Sequence, residues 1–211
     1  MVSKEMLALG KKSSVIREIF EYAKVRRAEI GAENVFDFSL GNPSIPAPQV
    51  VGETMRKLLE STDPVLLHGY TSAPGDMGVR STIAAHVEER FGLKVNPNLI
   101  YMTCGAAASL TISLRALCSA GDEVILLAPF FPEYQVFVRN AGAVPVIVSG
   151  REGVFDIDFE ALSAAINENT RAVIVNSPNN PSGVVLNEEC IRQLASLLTA
   201  KSAEYGRPIA I

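Results

Sequence analysis

Three short stretches place chemistry-bearing residues directly after apolar runs. The first is Cys104-Gly105-Ala106-Ala107-Ala108-Ser109, behind LIYMT at 99–103. A glycine followed by tiny side chains lets a backbone approach a ligand closely. The free amide hydrogens of a first helical turn then suit a phosphate. The same composition equally serves tight helix–sheet packing. It is neither a G-x-G-x-x-G fingerprint nor a Walker loop, and no lysine follows it. The second stretch, Pro129-Phe130-Phe131-Pro132-Glu133-Tyr134, follows EVILLA at 123–128. Its aromatics either present a flat face to a planar ring or serve as ordinary core. The third, Ser177-Pro178-Asn179-Asn180-Pro181-Ser182-Gly183, follows RAVIVN at 171–176. It reads as a rigid turn whose amide donates to a ligand oxygen, or as a turn that caps itself.

Other reactive residue types are scattered. His68 and His86 are isolated, without H-E-x-x-H or a carboxylate at metal spacing, so both read as structural and no metal site is assigned. Cys104 is either a low-pKa thiol or a small packed residue. Glu88-Glu89-Arg90 and Glu188-Glu189 read as solvated helix faces, the latter pair favourable near a helix N-terminus.

The elements around these stretches follow from periodicity. Apolar residues at helical spacing predict a helix over 13–30, capped by Ser13 or Ser14, and further helices near 49–60 and 79–91. FDFSL at 36–40 alternates and reads as a strand. GNPSIPAP at 41–48 carries three prolines in eight residues, which no helix or central strand tolerates. Residues 1–45 are therefore expected to form a separate arm. Beyond them, LIYMT, EVILLA, VPVIV (144–148), RAVIVN and PIAI (208–211) alternate with helices near 106–118, 133–141, 158–167 and 187–205. Strict alternation implies an α/β fold with parallel strands and right-handed crossovers. Runs without internal alternation fit strands covered on both faces. In such a sheet ligands bind at the carboxyl ends of strands, where the three stretches stand.

Composition narrows the function classes. The 211 residues are 48% hydrophobic and 20% charged, with a net charge of −4, which leaves no basic footprint for nucleic acid or an anionic membrane. Three widely spaced cysteines argue against a disulfide framework and fit a reducing, cytoplasmic setting. No apolar run approaches the roughly 18 residues of a membrane span. The chain stops at Ile211 inside an apolar run, which suggests the front part of a longer protein.

Taken together, the three strand-end stretches resemble the fold-type I pyridoxal-phosphate (PLP) aminotransferases of class I/II, from about Phe36 to Ile211. Asn180-Pro181-Ser182-Gly183 is similar to that family's N-P-[ST]-G turn. Gly41-Asn42-Pro43, Tyr70 with Gly75 ahead of Arg80, the Gly105 loop and Pro129 to Tyr134 support it. The resemblance implies a three-layer αβα fold with a mostly parallel sheet, residues 46–211 forming an incomplete large PLP-binding domain. It implies that Gly105, Ala106 and Ala107 hold the cofactor phosphate and that Phe131 stacks on the pyridine ring. Asn180 would donate to the phenolic oxygen, Gly41 would lie against the substrate carboxylate, and Tyr70 would reach the phosphate of a partner subunit in a homodimer. The implied reaction moves an amino group from an amino acid to a 2-oxo acid. A β-lyase or decarboxylase of the same fold, and an inactive truncated or sensor domain, are the alternatives.

Two departures from the family matter. Ala107 stands where a Ser or Thr often adds a hydroxyl, and neither Ala107 nor Ala108 offers the lysine that some aspartate aminotransferases carry there. The seven lysines, Lys4, Lys11, Lys12, Lys24, Lys57, Lys94 and Lys201, lie on an arm, polar helix faces or loops. The resemblance implies that the Schiff-base lysine, the acid facing the pyridine nitrogen and the carboxylate-binding arginine come later, beyond Ile211, and no catalytic residue is assigned within the chain.

Overall fold

The computed structural model describes residues 2, 4–11, 15–39, 41, 45–151 and 155–211. Three of the apolar runs form one sheet: β1 (Glu123–Ala128), β2 (Val144–Ser149) and β3 (Thr170–Ile174), all parallel and ordered β2-β1-β3. Ile125 pairs with Val146 on one side and Val173 on the other. The central strand is the most apolar, and Val124, Ile125 and Leu126 are wholly buried. Each such side chain contributes about 1.5–3 kcal/mol through burial. β2 lies at an edge, which is where Pro145 can sit without costing a ladder bond.

Chain contacts divide the molecule into Met1–Tyr70 and Thr71–Ile211. The first unit holds α1 (Lys4–Lys11), α2 (Val15–Ile30), α3 (Gln49–Ser61) and α4 (Pro64–His68). Asp63 caps α4 by accepting from Val65 N (2.8 Å) and Leu66 N (3.2 Å), with Pro64 at the first helical position. Arg27 reaches Asp37 at 3.3 Å. Among the described residues of this unit only Ala23 is buried.

The second unit adds α5 (Met77–Phe91), α6 (Ala106–Leu117), α7 (Glu133–Asn140), α8 (Phe159–Ala165) and α9 (Glu188–Glu204). Leu114 of α6 and Val138 of α7 pack on the sheet face of Val124, Leu126 and Ala172. Leu162 of α8, with Leu194 and Leu198 of α9, covers the opposite face of Ile125 and Val173. Two covered faces make the three-layer αβα arrangement expected of strands without alternation. Asp76, Asp158 and Asn187 cap α5, α8 and α9. Glu188 and Glu189 occupy the first turn of α9, a favourable end for negative charge.

Some expected elements take another form. LIYMT is no strand: residues 97–99 make a single 3-10 turn, and residues 100–103 have no ladder partner among the described residues. Met102 N donates instead to Pro74 O at 3.0 Å. Of FDFSL, residues 36–39 likewise form no strand, with Phe36 and Phe38 exposed, while Leu40 lies outside the described residues. PIAI contributes one bridge, Ala172 to Ala210. The common cause is relational, since a run becomes a strand only where a neighbour accepts its backbone hydrogen bonds. The cap expected at Ser13 or Ser14 lies outside the described residues. No helix among the described residues is long and apolar enough to cross a membrane.

Candidate functional site

α6 starts at a glycine for a steric reason. Gly105 adopts φ 88° and ψ 174°, a conformation essentially closed to residues with a Cβ. That backbone sends the following three amides, of Ala106, Ala107 and Ala108, outward with no acceptor among the described residues. The first helical bond runs from Ser109 N to Gly105 O at 3.2 Å. Unlike α5, α8 and α9, this helix has no side-chain cap. Thr103 Oγ1 and Ser109 Oγ lie 2.6 Å apart behind Gly105, and Thr103 donates to the Gly105 carbonyl at 3.2 Å. The result is three donors without an acceptor among the described residues, at the positive end of a 12-residue helix, suited to an anion.

The aromatic loop leaves β1. Phe131 is half-buried and packs edge-on against Tyr134, ring centres 5.7 Å apart and planes at 81°. Phe130 lies nearly parallel to Tyr134 at 6.4 Å and joins the α6–α7 core. Burial pushes the Tyr134 hydroxyl above its ordinary range, so it stays protonated and neutral. Phe130 and Tyr134 pack against the core, as the second reading of this stretch expects, while Phe131 is half-buried beside them.

The third stretch folds back as a turn behind β3. Asn179 donates from Nδ2 to Pro129 O (2.9 Å) and to Ser182 Oγ (2.8 Å). Gly183 N donates to Asn179 O at 2.7 Å. Asn180 is exposed, and its side-chain amide has no partner among the described residues. The turn thus satisfies itself through Asn179 and leaves Asn180 free. Through Asn179 and Pro129 it also joins the loop that carries Phe131. No hydrogen bond or ring contact links Ala106 or Ala107 to Phe131 or Asn180 among the described residues.

A small cavity of about 40 Å³ sits at the carboxyl ends of the three strands. Ala128, Phe130, Tyr134, Ser149, Asn176 and Asn179 are among its walls, whereas Gly105, Ala106, Ala107, Phe131 and Asn180 are not. Its size suits a few waters rather than a cofactor. Ser149, Asn176 and the Asp156 of the loop after β2 were not singled out in the sequence, where only three strand ends carried unusual residues. The signal available was positional, as β2 ends at Ser149 in the same parallel sheet.

Of the remaining candidates, Tyr70 is fully exposed and ends the first unit. Gly41 is exposed, while Asn42 and Pro43 lie outside the described residues. Arg80 is buried, donating to Gly75 O (3.1 Å) and Pro97 O (3.0 Å), which makes it a brace for two turns. Gly75, at φ 98°, lies so close to Met102 that a Cβ would stand 2.4 Å from Met102 Cγ. His68 and His86 are exposed. Cys104 is exposed rather than packed, and burial raises the Cys118 and Cys190 thiols above their ordinary range. Lys24, Lys94 and Lys201 pair with Glu21, Glu88 and Glu204.

A family model described as aminotransferase class I and II matches residues 33–203. A Thermus aquaticus protein named probable aspartate/prephenate aminotransferase is 38% identical over 159 residues, covering 74% of this chain and 40% of that protein. An aminotransferase structure from Eubacterium rectale superposes with a TM-score of 0.95 at 54% identity, over 100% of this chain and 54% of its own. The Thermus thermophilus aspartate aminotransferase with maleate gives 0.81 at 29% identity, over 100% and 53%. The chain therefore spans about half the length of the solved structures it resembles.

Proposed function

Because the chain belongs to the class I and II aminotransferase family, we propose that it is the front, cofactor-binding portion of a PLP-dependent enzyme that moves an amino group from an amino acid to a 2-oxo acid. In this reading residues 1–45 form the arm and part of the small domain, and 46–211 the incomplete large domain. The complete protein is a cytoplasmic homodimer.

The observation that carries the reading is the bare start of α6. Three amides without a partner among the described residues, and a Gly105 backbone with open space where a Cβ would stand, fit a phosphate group. Ala106 and Ala107 N–H donate to the phosphate and fix one end of the cofactor. The face of Phe131 bounds the pyridine ring and excludes water from it. Asn180 Nδ2 donates to the phenolic oxygen and favours its ionised form. Gly41 leaves room for the substrate carboxylate, and Tyr70 reaches the phosphate held by the partner subunit. When bound, PLP supplies the electron sink for the chemistry at the amino acid's α-carbon. Ala107 and Ala108 bring no cation for a distal carboxylate, so aspartate is not proposed as the donor.

The test separates the chain from the complete protein. The 211 residues alone should hold PLP weakly enough for dialysis to remove it and should show no turnover with any donor. The full-length protein should retain PLP and transaminate. Borohydride reduction followed by mass spectrometry finds any lysine bonded to the cofactor. A stable adduct on one of the seven lysines here, together with turnover by the chain alone, would show that the site is misassigned.

A further inference from the structure

Two neighbouring asparagines do different work in the turn behind β3. Asn180 is exposed and has no side-chain partner among the described residues, whereas Asn179 is half-buried and engaged at three of its polar groups. Its Nδ2 carries two hydrogens, and each has an acceptor: Pro129 O at 2.9 Å and Ser182 Oγ at 2.8 Å. Its backbone N–H donates to Val184 O at 2.9 Å, and its own carbonyl accepts from Gly183 N–H at 2.7 Å. The bond to Pro129 spans 50 residues of sequence and ties the β3 turn to the loop leaving β1.

We propose that Asn179 is a positioning residue, which aims the Asn180 amide by clamping its turn to the Phe131 loop. The inference rests on the role proposed above for Asn180 and extends it to the residue that holds it in place. A planar primary amide suits the task because its two N–H bonds diverge in one plane toward two acceptors. Aspartate keeps the shape but has no donor, and serine has a single donor on a shorter stem. The residue that presents the donor is thus on the surface, while the residue that orients it is half-buried. An exposed turn without that clamp would leave Asn180 free to sample several orientations.

The experiment uses the full-length protein loaded with PLP and follows visible absorption of the bound cofactor against pH. A donor on the phenolic oxygen favours its ionised form, so losing it moves the titration midpoint upward. Asn180→Ala sets the full size of that shift. Asn179→Asp should move the midpoint in the same direction by a smaller amount, roughly half a unit or more. Asn179→Ser, which cannot reach Pro129, should match it and serves if the aspartate variant does not fold. A shift for Asn180→Ala with none for either Asn179 variant, even alongside a lowered melting temperature, overturns the clamp and spares the reading of Asn180. No shift for Asn180→Ala overturns that reading instead. Amide hydrogen exchange without cofactor tests the clamp separately. Asn179→Asp should speed exchange at both 179–184 and 130–134, and acceleration confined to 179–184 counts against the clamp.

Discussion

The strand layer and the first seventy residues are built on opposite terms. In β1, three consecutive side chains are wholly buried, and helices cover both faces of the sheet from within the same unit. In the first unit, Ala23 alone is buried among the described residues, and Val50, Met55, Leu58 and Leu59 of α3 are exposed. Both regions are rich in apolar residues, so composition does not separate them. What separates them is reach: the crossover from β1 to β2 and back to β3 brings each apolar run against helices adjacent in sequence. The apolar side chains of α3 have no comparable cover within their own unit.

That difference predicts the largest mutational contrast in the molecule. Leu126→Ala removes a wholly buried side chain from the central strand and should cost about 2–5 kcal/mol. Leu59→Ala, at a position 62% exposed, should stay within about 0.5 kcal/mol. Urea unfolding of the chain, followed by circular dichroism, measures both. Comparable losses at the two positions would mean that α3 is as well packed as β1 and would break the comparison.

A smaller effect is expected at the start of α6, where backbone conformation rather than burial is at stake. Gly105→Ala forces a Cβ into φ 88°, ψ 174° and should cost about 1–3 kcal/mol. The space beside that Cβ is open, so the penalty is conformational and not a clash. If the helix end holds the cofactor phosphate as proposed, the full-length protein should also hold PLP more weakly. Unchanged stability together with unchanged PLP retention would show that Gly105 is not required there.

How much of this was legible in the sequence divides along the same line. EVILLA, VPVIV and RAVIVN were recognisable because short, bounded runs of β-branched and leucine residues need only their own neighbours to be read. Their strands end within two residues of the expected limits. LIYMT has the same local pattern and no ladder partner, so local pattern alone could not decide it. α4 escaped notice because its five residues carry no periodicity, although Asp63-Pro64 was a usable start signal. At the candidate site, Gly105, Phe131 and Asn180 stood out by residue type and by position after an apolar run. The clamp from Asn179 to Pro129 did not, since a side chain meeting a carbonyl 50 residues away leaves no trace in spacing.

The finest test of the comparison is a pair of carboxylates, one in each region. Asp37 is held below the usual carboxylate range by the Ser39 hydroxyl, then by the Ser39 amide and Arg27. Asp122 is also held low, first by the Ser119 backbone N–H and then by Arg207, which meets it at 2.9 Å. The two differ in span: Arg27 and Asp37 are 10 residues apart, Arg207 and Asp122 are 85. A short-range pair can persist locally when the chain unfolds, whereas the long-range pair exists only in the folded sheet unit. A lowered folded pKa means that the unfolded state binds the proton more readily. The stabilisation is therefore present above the unfolded value near 3.8 and is lost as pH falls through the folded one. Asp122→Asn should accordingly cost of order 1 kcal/mol at neutral pH and progressively less below about pH 4. Asp37→Asn should leave global unfolding unchanged across that range. Unfolding curves of both variants at pH 7 and pH 3 decide the matter: a cost for Asp122→Asn that does not change with pH, or a larger cost at Asp37, would place the acid sensitivity in the wrong region.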